Sequence, residues 1–399
     1  MDAPCPEPPP TGAALEIQGC RFEAEAPELA EAIAKAYWKQ ERPRCLCRPS
    51  GIEMYVARLG DGYIVKRMPE TGSQHASECA SFEPSAEASG LAQLLGTAIV
   101  EDPTSGATML KLDFPLSLQS GRPIPARQTA PAGTVRHRGV RLSLRSLLHY
   151  LWSEADLTRW HPGFHGKRTW GTVRRQLLQA VEQKTACGAT LTSRLYVPET
   201  FILDQKDAII GRRRAIWASA SLRPGRPQQL LLTIGEVKEV VPGRHGYRAV
   251  IKHIPDVAFA IDEALYRRIE SRFADELALW NASDRIRMIM IASFGLSEAG
   301  LPFIAGLYLM AATQQWLPVE TAAEWQLVER LVRDQRRFSK VLRYDLPKDV
   351  RRASVALRDC GTPVPMLFAD REVDTVPASP QPSSRADLNR DGRPPSVGP

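Results

Sequence analysis

Arg42-Pro-Arg-Cys-Leu-Cys47 and His75-Ala-Ser-Glu-Cys79 place three cysteines and one histidine within a short part of the chain. Thiolate sulfur and imidazole nitrogen are ligands that Zn²⁺ prefers, and four of them complete a tetrahedral site. Because four protein ligands leave no open position for a water nucleophile, a metal bound in this way is structural rather than catalytic. The sequence therefore predicts a structural zinc site formed by Cys45, Cys47, His75 and Cys79.

The residues between the two halves of this site show the pattern of a β-hairpin. Ile52–Leu59 and Tyr63–Met68 are strand-like runs, and Gly60-Asp61-Gly62 between them is a turn signal. Such a hairpin returns the chain to the first pair of cysteines. The four-residue spacing of the second pair allows both ligands to lie on one face of a short helix. We therefore predict a zinc-ribbon-like module over about residues 42–84.

A second interpretation of the same residues stays open. Free cysteine is often only a small core residue, and a lone histidine is often a surface residue. C-x-C is also a less common knuckle than C-x-x-C. A disulfide between two cysteines that are separated by one residue would be strained.

Length and composition indicate an intracellular globular protein. The chain has 399 residues, 43% of them hydrophobic, which is enough for two or more domains with their own cores. Met1–Pro10 is proline-rich and acidic and does not resemble a secretory leader. The longest apolar stretch, Gly300–Thr313, is too short to span a bilayer. Seven cysteines with uneven spacing make a poor disulfide framework, so we predict a cytoplasmic protein without a membrane partner.

Positive charge is concentrated in the middle of the chain. Residues 136–214 contain 15 Lys or Arg and six Asp or Glu, an excess of nine positive charges, whereas the whole chain carries +7. Such an excess is the electrostatic footprint of a DNA- or RNA-binding protein, although a solvated arginine-rich surface has the same composition. The residues predicted to contact phosphates are Arg136, Arg138, Arg141, Lys167, Arg168, Arg174 and Arg175.

We predict an α+β (mixed α/β) fold in several parts. A small N-terminal hairpin module precedes a helical basic middle region, a C-terminal mixed sheet with helices and a disordered tail. The predicted boundaries are 1–12 (disordered), 13–116 (N-terminal region), 117–135 (linker), 136–190 (basic helical region), 191–371 (C-terminal α+β domain) and 372–399 (disordered tail).

Three local patterns predict helices. Leu144, Leu147, Leu148 and Leu151 recur at helical spacing and form an amphipathic stripe. Ala88–Ile99 is rich in small and apolar residues. Thr321-Ala-Ala-Glu324 has the capping-box signature that marks the start of a helix.

The sequence contains no strong catalytic motif. Phosphate-binding loops, dinucleotide fingerprints, zinc-protease motifs and nucleophile elbows are all absent. Glu236-Val237-Lys238 lies in an apolar strand, where residues two apart point to the same face. With a further carboxylate, Glu236 and Lys238 could hold Mg²⁺ and orient a water, as nucleases do. A charge pattern on a half-exposed strand explains the same residues.

The chain resembles a bacterial family, domain-of-unknown-function family 1173. The resemblance rests on the Arg42–Cys47 motif, the hairpin, the His75–Cys79 motif and the length of the chain, and it covers roughly Ala13 to Asp370. Family members are marked by three N-terminal cysteines, which are Cys45, Cys47 and Cys79 here. The resemblance implies an association with plasmids and integrative conjugative elements, and hence a DNA-related role, but no activity. The assignment of His75 as fourth ligand comes from the residues alone.

The leading hypothesis is a zinc-stabilised nucleic-acid-binding protein of a mobile element. One alternative is a metal-dependent nuclease, intact or degenerate, in the C-terminal domain. Another is a non-enzymatic scaffold that binds protein partners.

Overall fold

A computed structural model describes residues 14–59, 61–118, 140–244, 246–345, 352–361 and 364–369. Within these ranges the chain has the mixed α+β fold that its sequence predicts. No helix in the described part of the chain is long and apolar enough to cross a membrane. The α-helices are α1 (Leu29–Trp38), α2 (Leu144–Glu154), α3 (Trp170–Ala180), α4 (Lys206–Trp217), α5 (Glu263–Arg272), α6 (Ala274–Ala282) and α7 (Ala322–Arg333).

The strands form several sheets. They are β1 (Leu15–Ile17), β2 (Cys20–Phe22), β3 (Arg44–Cys45), β4 (Ile52–Leu59), β5 (Gly62–Arg67), β6 (Ile99–Glu101), β7 (Thr108–Leu110), β8 (Ser117–Leu118), β9 (Arg159–Trp160), β10 (Lys184–Ala186), β11 (Ala189–Thr190), β12 (Leu195–Tyr196), β13 (Gln228–Gln229), β14 (Leu231–Gly243), β15 (Gly246–Ile251), β16 (Ile254–Ile261), β17 (Ile286–Leu296), β18 (Pro302–Thr313), β19 (Phe338–Lys340), β20 (Val355–Leu357) and β21 (Met366–Leu367).

The N-terminal sheet has the order β2-β1-β3-β4-β5. Strands β4 and β5 pair antiparallel from Met54↔Arg67 to Leu59↔Gly62, which confirms the predicted hairpin. Helix α1 covers one face of this sheet, where Ile33 and Ala36 pack against strand residues. This cluster is small, so the N-terminal sheet has little apolar core of its own.

A closed barrel lies at the centre of the chain. Strands β14, β15, β16, β18 and β17 pair in that order, and β17 pairs back onto β14, which closes the ring. All pairs are antiparallel except β16 with β18. The long strand β14 takes part twice, since Leu231–Val237 pair with β17 and Val237–Gly243 pair with β15. Gly246 begins β15 at φ +109°, where an added Cβ would lie 2.4 Å from the carbonyl oxygen of Ile261.

The largest hydrophobic cluster joins the barrel to α2 and α3. It contains Leu110 from the N-terminal region, Leu147 and Val173 from the basic helical region, and Ile234 from the barrel. The predicted amphipathic stripe of α2 faces this core, because Leu147, Leu148 and Leu151 are fully buried. The domain boundaries stay a prediction, but the regions on either side of them share this core.

Two of the local expectations need correction. Ala88–Ile99 is not one helix: it contains the end of one 3₁₀ turn, Ala86–Ala88, and a second, Leu91–Gln93, because Gly90 and Gly96 adopt left-handed backbone angles that interrupt a helix. The predicted linker 117–135 begins with strand β8, which pairs with β13. Residues 119–135 of that linker lie outside the described residues. So do the predicted disordered segments 1–12 and 372–399.

The buried His149 on α2 makes folding stability depend on pH. Its Nδ1 donates to the carbonyl oxygen of Arg343 at 2.7 Å, and its Nε2 lies 3.3 Å from the hydroxyl of Tyr308. Burial, together with the nearby Arg145 guanidinium, lowers the pKa of His149 to about 3. The pKa of a histidine side chain in an unfolded chain is about 6.5. Between these two values the unfolded chain binds a proton that the folded chain does not, so stability falls as pH falls.

We expect His149→Gln to weaken this pH dependence. Between about pH 7 and pH 5 the wild-type chain should lose about 2 kcal/mol of unfolding free energy through this group alone. Over the same interval the variant should lose about 2 kcal/mol less unfolding free energy than the wild-type chain, although it will be less stable at neutral pH. Urea unfolding at the two pH values measures both quantities. An equal pH dependence in the two proteins would contradict the assignment.

Candidate metal centre and candidate nucleic-acid interface

The four predicted metal ligands meet beside the N-terminal sheet. Cys45 ends β3, which pairs with β1 on one side and β4 on the other, and Cys47 lies in the turn that follows. The β4–β5 hairpin then returns the chain, and His75 follows a 3₁₀ turn, Gly72–Gln74. His75 itself is extended, so the short helix expected over His75–Cys79 is absent. Cys79 is brought round by a turn in which its N–H donates to Ala76.

The separations between these side chains match a single tetrahedral ion. The four ligand atoms of Cys45, Cys47, His75 and Cys79 all lie within 4.8 Å of one another. The sulfur atoms of Cys45 and Cys79 are 3.6 Å apart. His75 Nδ1 lies 3.3 Å from Cys47 Sγ and 3.6 Å from Cys79 Sγ. Tetrahedral zinc bonds place two sulfurs about 3.8 Å apart and a sulfur and a nitrogen about 3.5 Å apart.

The thiol groups are unequal in acidity. The hydrogen bond from the Cys45 thiol, with a contribution from His75, lowers the pKa of Cys79 to about 4. The same hydrogen bond, together with burial, raises the pKa of Cys45. Burial also raises the pKa of Cys47. Because thiolate is the form that binds metal, Cys79 is ready to coordinate, and a metal must displace protons from the other two cysteines.

Backbone groups stabilise negative charge on the sulfurs. The N–H of Ala76 donates to Cys47 Sγ, and the N–H of Ser81 donates to Cys79 Sγ, both at 3.4 Å. His75 is 1% exposed, and its Nε2 has no hydrogen-bond partner among the described residues. The imidazole is therefore fixed by Nδ1, the nitrogen that faces the sulfurs. Two buried thiols, one half-buried thiol and a buried imidazole that converge in this way fit a site that a metal completes.

A buried arginine ties the second half of the site to the distant C-terminal sheet. Arg358 follows β20, is 4% exposed, and donates from Nε to the carbonyl oxygen of Ser77 at 2.8 Å. Its Nη2 donates to the carbonyl oxygen of Cys79, and its guanidinium lies 5.5 Å from the ring of Phe82. Arg159 of β9 also donates to the carbonyl oxygen of Ala80. The loop that carries Cys79 is therefore part of the interface with the sheet β21-β20-β19-β9.

The residues predicted to contact phosphates differ in their exposure and in their hydrogen bonds. Arg168 donates to backbone carbonyl groups including those of Leu157 and Gln315, and burial lowers its pKa to about 10. These contacts give Arg168 a structural role. Arg174 is partly buried and donates from Nε to Val197. Arg141, Lys167 and Arg175 are exposed, whereas Arg136 and Arg138 lie outside the described residues.

Part of the positive charge of the middle region is used inside the fold. Lys184 is 2% exposed and its Nζ lies 2.9 Å from Glu154 Oε2. Arg213 is also buried and forms a two-pronged ion pair with Asp256 of the barrel. A count of charged residues does not show which of them are buried, so the excess of nine positive charges includes cations that a ligand cannot reach.

Three cationic or aromatic residues that sequence analysis missed join this surface. His253, between β15 and β16, stacks on Trp170 at the start of α3, with ring centroids 5.3 Å apart. The neighbouring Lys252 is exposed. Arg287 of β17 lies 4.4 Å from the ring of Trp316, which in turn packs on Trp170. The stacking of His253 on Trp170 thus brings the turn between β15 and β16, which carries Lys252, against the start of α3.

Glu236 and Lys238 have different environments. Glu236 is 6% exposed and accepts hydrogen bonds from Lys252 at 3.1 Å and from Arg287 at 2.9 Å. Lys238 lies at a β-bulge between β14 and β15, is exposed, and its Nζ lies 3.9 Å from Glu239. The bulge interrupts the alternation on which the same-face expectation rests. Two cations, and not further carboxylates, therefore surround the Glu236 carboxylate.

Within the described ranges, the cysteine and histidine cluster is the one group of three or more potential metal-binding side chains. These features define an α+β protein with a cluster that could hold a metal ion and an exposed basic surface. The model of the family "Protein of unknown function (DUF1173)" matches residues 15–386, and the chain belongs to this family. No curated protein and no solved structure matches the chain.

Proposed function

We propose that this chain is a nucleic-acid-binding protein whose N-terminal module is stabilised by a zinc ion. The observation that carries the nucleic-acid part is the group of exposed cations on α3 and next to it. Lys167, Arg175 and Lys252 are exposed, and the stacked rings of Trp170 and His253 bring the start of α3 together with the turn that carries Lys252. Phosphate groups are the ligands that such a surface attracts, and contacts to them position a protein without reading sequence.

The donor set supports zinc over other metals. Three cysteine sulfurs and one imidazole nitrogen are soft or intermediate ligands, which suit Zn²⁺ and do not suit Mg²⁺ or Ca²⁺. The four ligands complete the coordination shell, so the ion would hold the module together and activate no water. Elemental analysis of the purified chain should find about one zinc per chain. A metal-free chain whose three thiols all react in the folded state would refute the site.

A cytoplasmic location and an association with mobile elements stay predictions. The described cysteines are all free, as in a protein of a reducing compartment. Neither point is needed for the proposed binding function.

We expect the double variant Lys167→Ala/Arg175→Ala to bind DNA or RNA at least tenfold more weakly at low salt. Each lost phosphate contact should also reduce the slope of log affinity against log salt by about 0.7 to 0.9. Fluorescence anisotropy with labelled oligonucleotides at several salt concentrations measures both quantities. The two side chains are exposed, so the variant should keep the stability of the wild-type chain.

The matched control is Lys35→Ala/Lys39→Ala, which removes two exposed cations, one on α1 and one directly after it. This control should leave affinity nearly unchanged. If the wild-type chain binds neither DNA nor RNA at low salt, the proposed function is wrong. Equal losses in the two double variants would show that net charge, and not this surface, determines binding.

A further inference from the structure

The topology of the barrel indicates a class of ligand. Numbered from β14, its five strands have the order 1-2-3-5-4-1, with only strands 3 and 5 parallel. Its long first strand pairs with two neighbours, and helices α5 and α6 connect the third strand to the fourth. This five-stranded Greek-key barrel has the topology of the oligonucleotide- and oligosaccharide-binding (OB) fold.

Ligands of OB barrels bind at a particular place. They lie across the second and third strands, between the loop that joins strands 1 and 2 and the loop that joins strands 4 and 5. In this chain the second and third strands are β15 and β16, and the first of these loops lies between Gly243 and Gly246. Because fold alone does not assign function, the side chains at this face must supply the argument.

Cations are exposed along the first two strands and their loop. Arg244 in the loop and Arg248 on β15 are exposed, and Lys238 at the bulge of β14 is 61% exposed. Arg248 lies directly opposite Val241 on β14 and Ala260 on β16, so these three residues share the outer face of the barrel. The small side chain of Ala260 leaves the backbone beside Arg248 accessible.

An aromatic pair lies at the same end of β15. Tyr247 stacks face to face on Tyr266 of α5, with ring planes 9° apart, and both rings are half-buried. Single-stranded nucleic acids bind OB barrels through cations that follow the backbone and aromatic rings on which bases stack. Tyr247, however, pairs with the buried Ile261 and so points to the face of β15 opposite to Arg248, which leaves the cations without this aromatic pair on the outer face.

The opposite end of β15 leads to the surface of α3. The next residue after the strand is Lys252, and it is followed by His253, which stacks on Trp170. A strand of six residues spans roughly 20 Å. A nucleic acid strand that follows β15 from Arg248 would thus reach Lys252 and the start of α3 without crossing the barrel.

We propose that single-stranded nucleic acid binds across β15 and β16 of this barrel, held by Arg244 and Arg248, and continues toward Lys252. The proposal rests on the proposed nucleic-acid-binding function and specifies its ligand. A single strand is favoured over a duplex because the groove of one OB barrel follows a single nucleic-acid backbone.

The test compares Arg244→Ala/Arg248→Ala with wild type, using the full chain with its metal. Two labelled probes are needed: an oligothymidine of about 16 nucleotides, the upper site size for one OB barrel, and a duplex of the same length. Wild type should bind the single strand at least fivefold more tightly than the duplex. The variant should lose at least tenfold in affinity for the single strand and less than twofold for the duplex. Lys35→Ala/Lys39→Ala should change neither affinity.

The possible outcomes separate this proposal from the function on which it rests. If neither probe binds at low salt, both fail. If both probes bind, but only Lys167→Ala/Arg175→Ala weakens binding, nucleic-acid binding stands and the barrel site is wrong. An equal loss for the single strand and the duplex in Arg244→Ala/Arg248→Ala would also overturn it. Thermal melting of each variant shows that the fold is intact.

Discussion

Replacing Cys79 by serine is expected to abolish metal binding and to unfold the N-terminal module. Serine is a poor zinc ligand, and Cys79 is the ligand whose thiolate forms most readily. Zinc sites of this type contribute about 10 to 16 kcal/mol of binding free energy, and that energy is coupled to folding. The apolar cluster under α1 is too small to replace it, since only four of its residues are buried.

Two measurements check this expectation. Zinc content should fall from about one ion per chain to nearly none. Hydrogen exchange should rise across β3, β4 and β5, because those strands surround the site. Cys187→Ser is the matched control, since Cys187 is an exposed free cysteine outside the cluster. Unchanged zinc content and unchanged protection in Cys79→Ser would show that the cluster is only a group of buried thiols.

The effect of Cys79→Ser should reach the C-terminal sheet. Arg358 donates to the carbonyl oxygens of Ser77 and Cys79, so disorder in this loop leaves a buried guanidinium without two of its acceptors. Exchange should therefore also rise in β19 and β20. The barrel strands β14, β15 and β16 lie in a different core and should keep their protection.

The metal cluster could be predicted from sequence because its signals are local. Cysteine and histidine can be recognised as possible metal ligands from their side chains alone. The Asp-Gly signal between two strand-like runs predicts that the chain folds back on itself as a hairpin. The turn signal located the hairpin but not its register: the observed pair is Leu59↔Gly62, whereas a two-residue Asp61-Gly62 loop would pair the residues on either side of it. The capping box is also local: Thr321 Oγ1 accepts from the N–H of Glu324 at 3.1 Å, as expected. The Glu324 carboxylate, however, reaches back to the N–H of Glu320.

The barrel could not be predicted, because its closure depends on residues far apart in the chain. Strands β14 and β17 pair across two intervening strands and two helices, and nothing in either sequence specifies its partner. The apolar strand that contains Glu236 was recognisable on its own, but a mixed sheet and a closed barrel have the same strand patterns. The parallel pair of β16 and β18 rests on one residue pair, Ala260↔Phe303, and has no sequence signal.

The candidate charged residues show why spacing alone misleads. Arg168 and Arg175 look alike in sequence, yet the first is held by backbone carbonyl groups and the second is exposed. Glu236 and Lys238 were expected on one face, but a bulge separates their environments. Burial and bulges are consequences of packing between distant segments, so they appear only once the three-dimensional structure is known.

Replacing Lys340 by methionine is expected to destabilise the fold by about 3 to 5 kcal/mol, because it leaves a buried carboxylate with less compensating charge. Lys340 lies on β19, and its Nζ donates to Glu324 Oε1 of α7 at 2.8 Å. The two side chains are 1% and 3% exposed. Arg352 would remain 3.6 Å from Glu324 and would compensate part of its charge, so the loss should lie at the lower end of this range.

The pair is best measured as a double-mutant cycle with Glu324→Gln. Glutamine keeps the side-chain oxygen that accepts from the N–H of Glu320 at the start of α7, but it removes the negative charge. Lys340→Met and Glu324→Gln therefore each leave one buried ion without its main partner. The double variant leaves neither, and its loss of unfolding free energy should be smaller than the sum of the single losses. Lys35→Met is the control, since Lys35 pairs with Glu31 at 2.7 Å with both side chains more than 60% exposed. Exposed pairs contribute about 0.2 to 1 kcal/mol. If Lys340→Met costs no more than Lys35→Met in urea unfolding, the buried pair does not stabilise α7 against β19.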